Sequence, residues 1–308
     1  MIAYFFKQSK PIVFIVLIAV LSLSFFLEIA NQGLGTYHLN TLLSWGLKYF
    51  ALIGIFLIFI SVLKQFEVQK RHGLGYFYFT LFSCLSMPFL INGSTLYALL
   101  LVSLAIYNSY KLIHTSQTHL TLFQLTIYFY VASFFVPGVA YMLLMVLVAT
   151  LLFTSPQWRM FIVPIYAIAT VILWIQAFKL LTTNTVYGPA FFFPKWTFNF
   201  NILSSTTEIT YLIFWVLILL VFVYQFVKVR EKRAIFHRNN ARYFICFLLI
   251  AIASLVLTVP SVEILWVLSI WPFAIYIADF VWRIRKKLWT ELAVLLSLIG
   301  VILVLTFL

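Results

Sequence analysis

Glu28, His38, Lys48, Lys179, Lys195, Glu208 and Glu263 stand in or beside long apolar runs, where an ionisable group is costly and is therefore tested first for function. A carboxylate held beside an ammonium in a partly desolvated place stays ionised and can act as a base or an ion ligand. The residues with that potential are Glu28, His38, Lys179 and Glu208, with Glu28 and Lys179 the leading pair. A plainer arrangement competes. Glu28 with Lys48, and Lys179 with Glu208, fall near the ends of consecutive apolar segments, where long side chains reach the membrane surface and pair without further role.

The stretch 182–208, TTNTVYGPAFFFPKWTFNFNILSSTTE, is the one long interruption on the expected outer face, and it is rich in aromatic residues. So much apolar surface cannot stay in water, so the segment is expected to lie in the interface or to cap a helix bundle. Lys195, Trp196 and Phe192 are its expected substrate-binding residues: rings to stack on a sugar, an ammonium to meet the phosphate of a lipid-linked donor. An aromatic belt that only anchors the loop is the alternative. On the opposite face, 228–242 (KVREKRAIFHRNNAR) is a basic loop, and Arg230, Lys232, Arg233, Arg238 and Arg242 are expected to contact anionic lipid headgroups, at ~1 kcal/mol each.

Other chemistry is narrowed by spacing. His72, His114, His119 and His237 share no helix face with a Cys, Asp or Glu at ligand spacing, so no metal site and no cofactor is expected. Cys84 and Cys246 lie inside apolar runs and read as small packing residues. Asp279 with Arg283, and Lys287 with Glu291, are four apart and read as local helix pairs. The chain has no Walker A, G-x-G-x-x-G, H-E-x-x-H or G-x-S-x-G sequence, which removes the common nucleotide, metalloprotease and serine-hydrolase signatures.

The elements that must position these residues are apolar helices. Of the chain's residues, 65% are hydrophobic and 9% charged, at a mean hydropathy of +1.11, well outside the soluble range. The fold class expected is an all-α, polytopic transmembrane helical bundle forming a single domain over 1–308. A hydrocarbon core ~30 Å thick needs about 20 apolar residues. On that scale about eleven segments qualify: 11–29, 42–63, 76–91, 95–113, 121–136, 139–154, 161–181, 208–228, 243–259, 264–281 and 291–307. They lack the period-two alternation of a barrel strand. Segments 76–91, 121–136 and 139–154 are each about a turn short, and 121–154 reads either as two spans or as a re-entrant hairpin broken at Pro137 and Gly138.

The net charge of +13 is gathered in short clusters between apolar runs, which reports orientation and not a nucleic-acid partner. With the N-terminus in the cytoplasm, all 20 Lys and Arg except Lys48, Lys179 and Lys195 fall on the inner side. The expected topology is N-in and C-out. Lys7 and Lys10 before the run from Pro11 resemble a signal peptide, but Leu27 to Asn31 makes a poor cleavage site, so the first span is expected to stay uncleaved. Pro88 and Pro272 are expected to kink their spans, and Pro164 to sit harmlessly in a first turn.

The opening Phe6-Lys7-Gln8-Ser9-Lys10-Pro11, the Gln157-Trp158-Arg159 turn before Pro164, and Asp279-Phe280 followed by Lys286-Lys287-Leu288-Trp289 and Glu291 resemble an uncharacterised family of bacterial multi-spanning inner-membrane proteins, over nearly the whole chain. The resemblance implies location and architecture, and assigns no catalytic residue. Three functions stay open. A non-catalytic subunit or assembly factor is favoured by the scarcity of polar residues inside the spans. A glycosyl or glycan transferase with a lipid-linked donor would use Glu28 as base or metal partner, with His38 behind it, by analogy with multi-span transferases. A transporter or lipid flippase would line its path with kinked spans and buried charge.

Overall fold

A computed structural model describes residues 5–6, 11–31, 39–65, 73–91, 93–155, 157–192, 209, 212–213, 215–220, 223, 235–257, 262–284 and 287–307. Among these residues the secondary structure is helical, without a strand. Each apolar segment named above except 208–228, most of which lies outside the described residues, coincides with helix. Among the described residues three helices are long and apolar enough to cross a membrane: Pro11–Asn31, Thr41–Gln65 and Trp158–Thr183. The chain groups into two compact units, Met1–Leu96 with Leu203–Arg238 and Trp266–Leu308, and Tyr97–Ile202 with Asn239–Leu265.

The first unit is built around a short central helix. Helix α1 spans Pro11–Asn31. It buries Val13, Leu17, Leu21, Phe25 and Ile29, a stripe at every fourth residue. After α2 (Leu39–Gln65) comes α3 (Leu74–Leu85), in which every residue except Cys84 is buried. A helix apolar on all sides needs cover on all sides, and α1, α2 and α12 (Lys287–Phe307) supply it. From α11 (Val262–Arg283), Trp271 meets Phe59 of α2 edge-on at 4.8 Å, and Phe59 stacks on Phe79 of α3 at 4.1 Å.

Proline has three outcomes. Pro88 ends a helix: α3 stops at Leu85, Ser86 caps it, and α4 (Met87–Ile91) restarts, with Phe89 and Leu90 both donating to the Ser86 carbonyl. Pro272 is carried inside α11 without a break. Pro164 differs from expectation. Gln157 is extended and caps a helix that starts at Trp158, three residues before the apolar run, so Pro164 is interior and not in the first turn.

The second unit contains α5 (Thr95–Lys111) from Tyr97 onward, α6 (Thr118–Phe135), a 3-10 helix (Pro137–Leu143), α7 (Leu144–Phe153), α8 (Trp158–Thr183), α9 (Pro189–Phe192) and, from Asn239, α10 (Ile235–Leu257). Segment 121–154 breaks at the expected place. Val136 is extended (φ −139°, ψ 103°) because a residue before proline is driven out of the helical region. Most buried hydroxyls are satisfied by their own helix: Thr80, Ser86, Ser103, Ser109, Thr126 and Thr150 each donate to the carbonyl four residues back.

Candidate functional site

A cluster of aromatic rings around one cation sits where α8 ends, and the local sequence explains why it folds there. Asn184 takes the left-handed conformation (φ 51°, ψ 27°) and returns its N–H to the Leu180 carbonyl. Asparagine accepts that geometry better than most residues. The chain then doubles back, and Pro189, a residue suited to a first helical position, opens α9. Gln176, one turn before Lys179, fixes the return. Its amide nitrogen donates to the Tyr187 carbonyl and its amide oxygen accepts from the Tyr187 N–H, both at 2.8 Å. One side chain thereby satisfies both backbone groups of Tyr187, which have no helix or sheet to join.

Held this way, Tyr187 becomes the middle of a ladder. The Lys179 ammonium lies 3.4 Å from the centre of the Tyr187 ring, a cation over the negative face of an aromatic. Behind it, Phe191 stacks on Tyr187 at 3.9 Å and 13°, and Phe134 of α6 continues the stack at 5.7 Å and 27°. Phe192 meets Tyr187 and Phe191 edge-on, and the Tyr130 hydroxyl donates to the Phe192 carbonyl at 3.3 Å. Tyr187, Phe191 and Phe192 are therefore the part of the 182–208 segment that packs on α6 and α8, while Thr182 to Val186 and Gly188 are exposed. Phe192, expected to face a ligand, is 5% exposed. Phe191, at 47%, offers ring surface instead.

The other expected site residues are placed as follows. Glu28 is half-buried near the end of α1 in the first unit, and Lys179 belongs to the second. Lys48 gives its ammonium to the Ile91 carbonyl at the end of α4, where a cation faces the negative end of a short helix, and not to Glu28 as the simple pairing expected. Lys64 lies over Phe14 at 4.5 Å. His38, Lys195, Trp196, Glu208, Arg230, Lys232 and Arg233 lie outside the described residues, as does the side chain of Arg238. Arg242 is exposed on α10. Among the described residues no group of His, Cys, Asp or Glu is arranged to hold a metal.

A second polar cluster sits where α10 packs in the second unit. The Tyr243 hydroxyl and Ser109 Oγ share a hydrogen bond at 2.9 Å, and Asn239 donates to the Leu152 carbonyl at 3.0 Å. Asn240 is 5% exposed, and neither atom of its carboxamide has a hydrogen-bond partner among the described residues. No spacing in the sequence marks Phe134 or Tyr130 as neighbours of Lys179; Gln176 is marked by its i, i+3 position on the helix, but its reach to Tyr187 is not. The available signals were the turn chemistry of Asn184 and Gly188-Pro189, which places the return of the chain but not its partner.

Among the described residues these features define an all-helical protein with three helices long and apolar enough to cross a membrane. No family model, no curated protein and no solved structure matches the chain, so function rests on the residues themselves.

Proposed function

We propose that this chain is a multi-pass protein of the bacterial cytoplasmic membrane, N-in and C-out with about eleven spans, and that it serves as a non-catalytic subunit or assembly factor. The observation that carries this is how Lys48, Lys64 and Lys179 are held. Lys179 is laid on Tyr187, Lys48 closes the end of α4, and Lys64 rests on Phe14. Among the described residues none of these three ammoniums is set against a carboxylate or an imidazole, the partners that a proton-transferring or ion-carrying lysine would need. Helix α8 adds surface for association. Tyr166, Leu173, Trp174, Phe178 and Leu181 are all more than 65% exposed along it, so lipid or a neighbouring helix must cover them.

Photo-crosslinking from position 174 in native membranes tests this. A discrete protein adduct, formed equally in the Glu28→Gln variant, is the expected outcome. Adducts with lipid alone, together with a Glu28→Gln protein that melts like wild type but no longer complements a deletion strain, would move the case to the transferase.

A further inference from the structure

We infer that Lys179, fixed on its Tyr187 platform, is a phosphate-reading site for an anionic phospholipid of the outer leaflet. Depth is the first support. Arg159 and Lys179 stand at opposite ends of α8, twenty residues apart, which at 1.5 Å per residue is about 30 Å. That equals the thickness of the hydrocarbon core, ~30 Å. When Arg159 sits at the headgroup level of one leaflet, Lys179 sits at the headgroup level of the other. Each end carries a cation against a ring, Arg159 over Trp158 at 5.7 Å and Lys179 over Tyr187 at 3.4 Å.

Charge is the second support. Among the described residues the Lys179 ammonium has no carboxylate and no hydrogen-bond acceptor; the Tyr187 ring is its contact. A ring covers one side of the ammonium and leaves N–H donors for an oxygen anion. Order is the third. An unsupported surface lysine loses rotamer freedom on binding, but this one is already held by a tyrosine whose backbone is clamped twice by Gln176. Below the ammonium, on the same side of α8, the half-exposed Ile175, Ile172 and Ile168 follow at helical spacing, an apolar lane along which acyl chains lie. A phosphate with chains attached fits both features at once, whereas a free anion would use only the first.

Native mass spectrometry of the full-length protein released from phosphatidylcholine nanodiscs containing phosphatidylglycerol reads the site. Wild type should retain phosphatidylglycerol, and Lys179→Met or Lys179→Gln should bind it about five- to tenfold more weakly. Lys179→Arg, which restores a donor on the same ring, should recover it. An Arg230→Ala/Lys232→Ala/Arg233→Ala triple variant separates the opposite face and should leave the Lys179-dependent loss in place. Equal retention in wild type, Lys179→Met and Lys179→Gln overturns the proposal. So does loss of the lipid to millimolar inorganic phosphate, which would make a soluble anion the ligand. Neither result bears on whether the protein is a non-catalytic subunit, which the crosslink from position 174 addresses separately.

Discussion

Gln176→Leu is the perturbation that most directly probes how the end of α8 is organised. The substitution nearly conserves volume but removes both hydrogen bonds to Tyr187, each 2.8 Å long. Two bonds at roughly 0.5–1.5 kcal/mol each place the loss at about 1–3 kcal/mol. The half-buried setting of Gln176 and Tyr187 argues for the lower half of that range, because water can replace part of what is lost. Gln176→Glu keeps an acceptor for the Tyr187 N–H but has no donor for its carbonyl, so it should fall between wild type and Gln176→Leu. In detergent, melting of Gln176→Leu should drop by about 2–6 °C. Hydrogen exchange gives the local readout: the amides of 185–192 should exchange at least tenfold faster, with the core helix α3 unchanged. If exchange over 185–192 matches wild type in Gln176→Leu, the clamp does not hold the return, and the fixed Lys179–Tyr187 geometry loses its cause.

Other substitutions test separate elements. Asn240→Leu should raise stability by about 1–3 kcal/mol, because it removes a buried carboxamide without hydrogen bonds among the described residues; a lower melting temperature would mean that something outside those residues satisfies Asn240. Asn184→Gly should be nearly neutral and Asn184→Val should cost about 1–2 kcal/mol, since only the latter is strained at φ 51°; equal melting of the two would contradict the left-handed cap. Tyr243→Phe and Ser109→Ala should show a coupling of about 1 kcal/mol in a double-mutant cycle, and strict additivity would rule out their shared hydrogen bond.

How much of this was legible in sequence depends on which force fixes each residue. The positions of the helices follow from apolar length, and the break at Val136-Pro137 follows from the steric rule for the residue before proline. The central place of α3 does not follow. A helix apolar on every side reads the same whether protein or lipid surrounds it, and only the contacts of Phe59, Phe79 and Trp271 distinguish the two. Lys48 was readable as a charge that needs a partner, but its choice of the Ile91 carbonyl depends on α4 ending beside α2, a tertiary fact. For the aromatic loop, composition alone required it to pack away from water. Which ring would face Lys179 was decided by the Gln176 clamp, eleven residues from Tyr187, a spacing that no helical or strand periodicity marks.

The central claim is a chain threaded through the membrane with the Lys179–Tyr187 cap on its outer face, and cysteine accessibility tests it most directly. Single cysteines at Thr185, in the exposed turn after α8, and at Ser116, in the exposed turn before α6, would be placed in a protein with Cys84→Ser and Cys246→Ala. A membrane-impermeant maleimide should label position 185 in intact cells and position 116 only after the membrane is opened. Labelling of 116 but not 185 in intact cells, or of neither site before and both after opening, would contradict the orientation and remove the outer-leaflet role of Lys179.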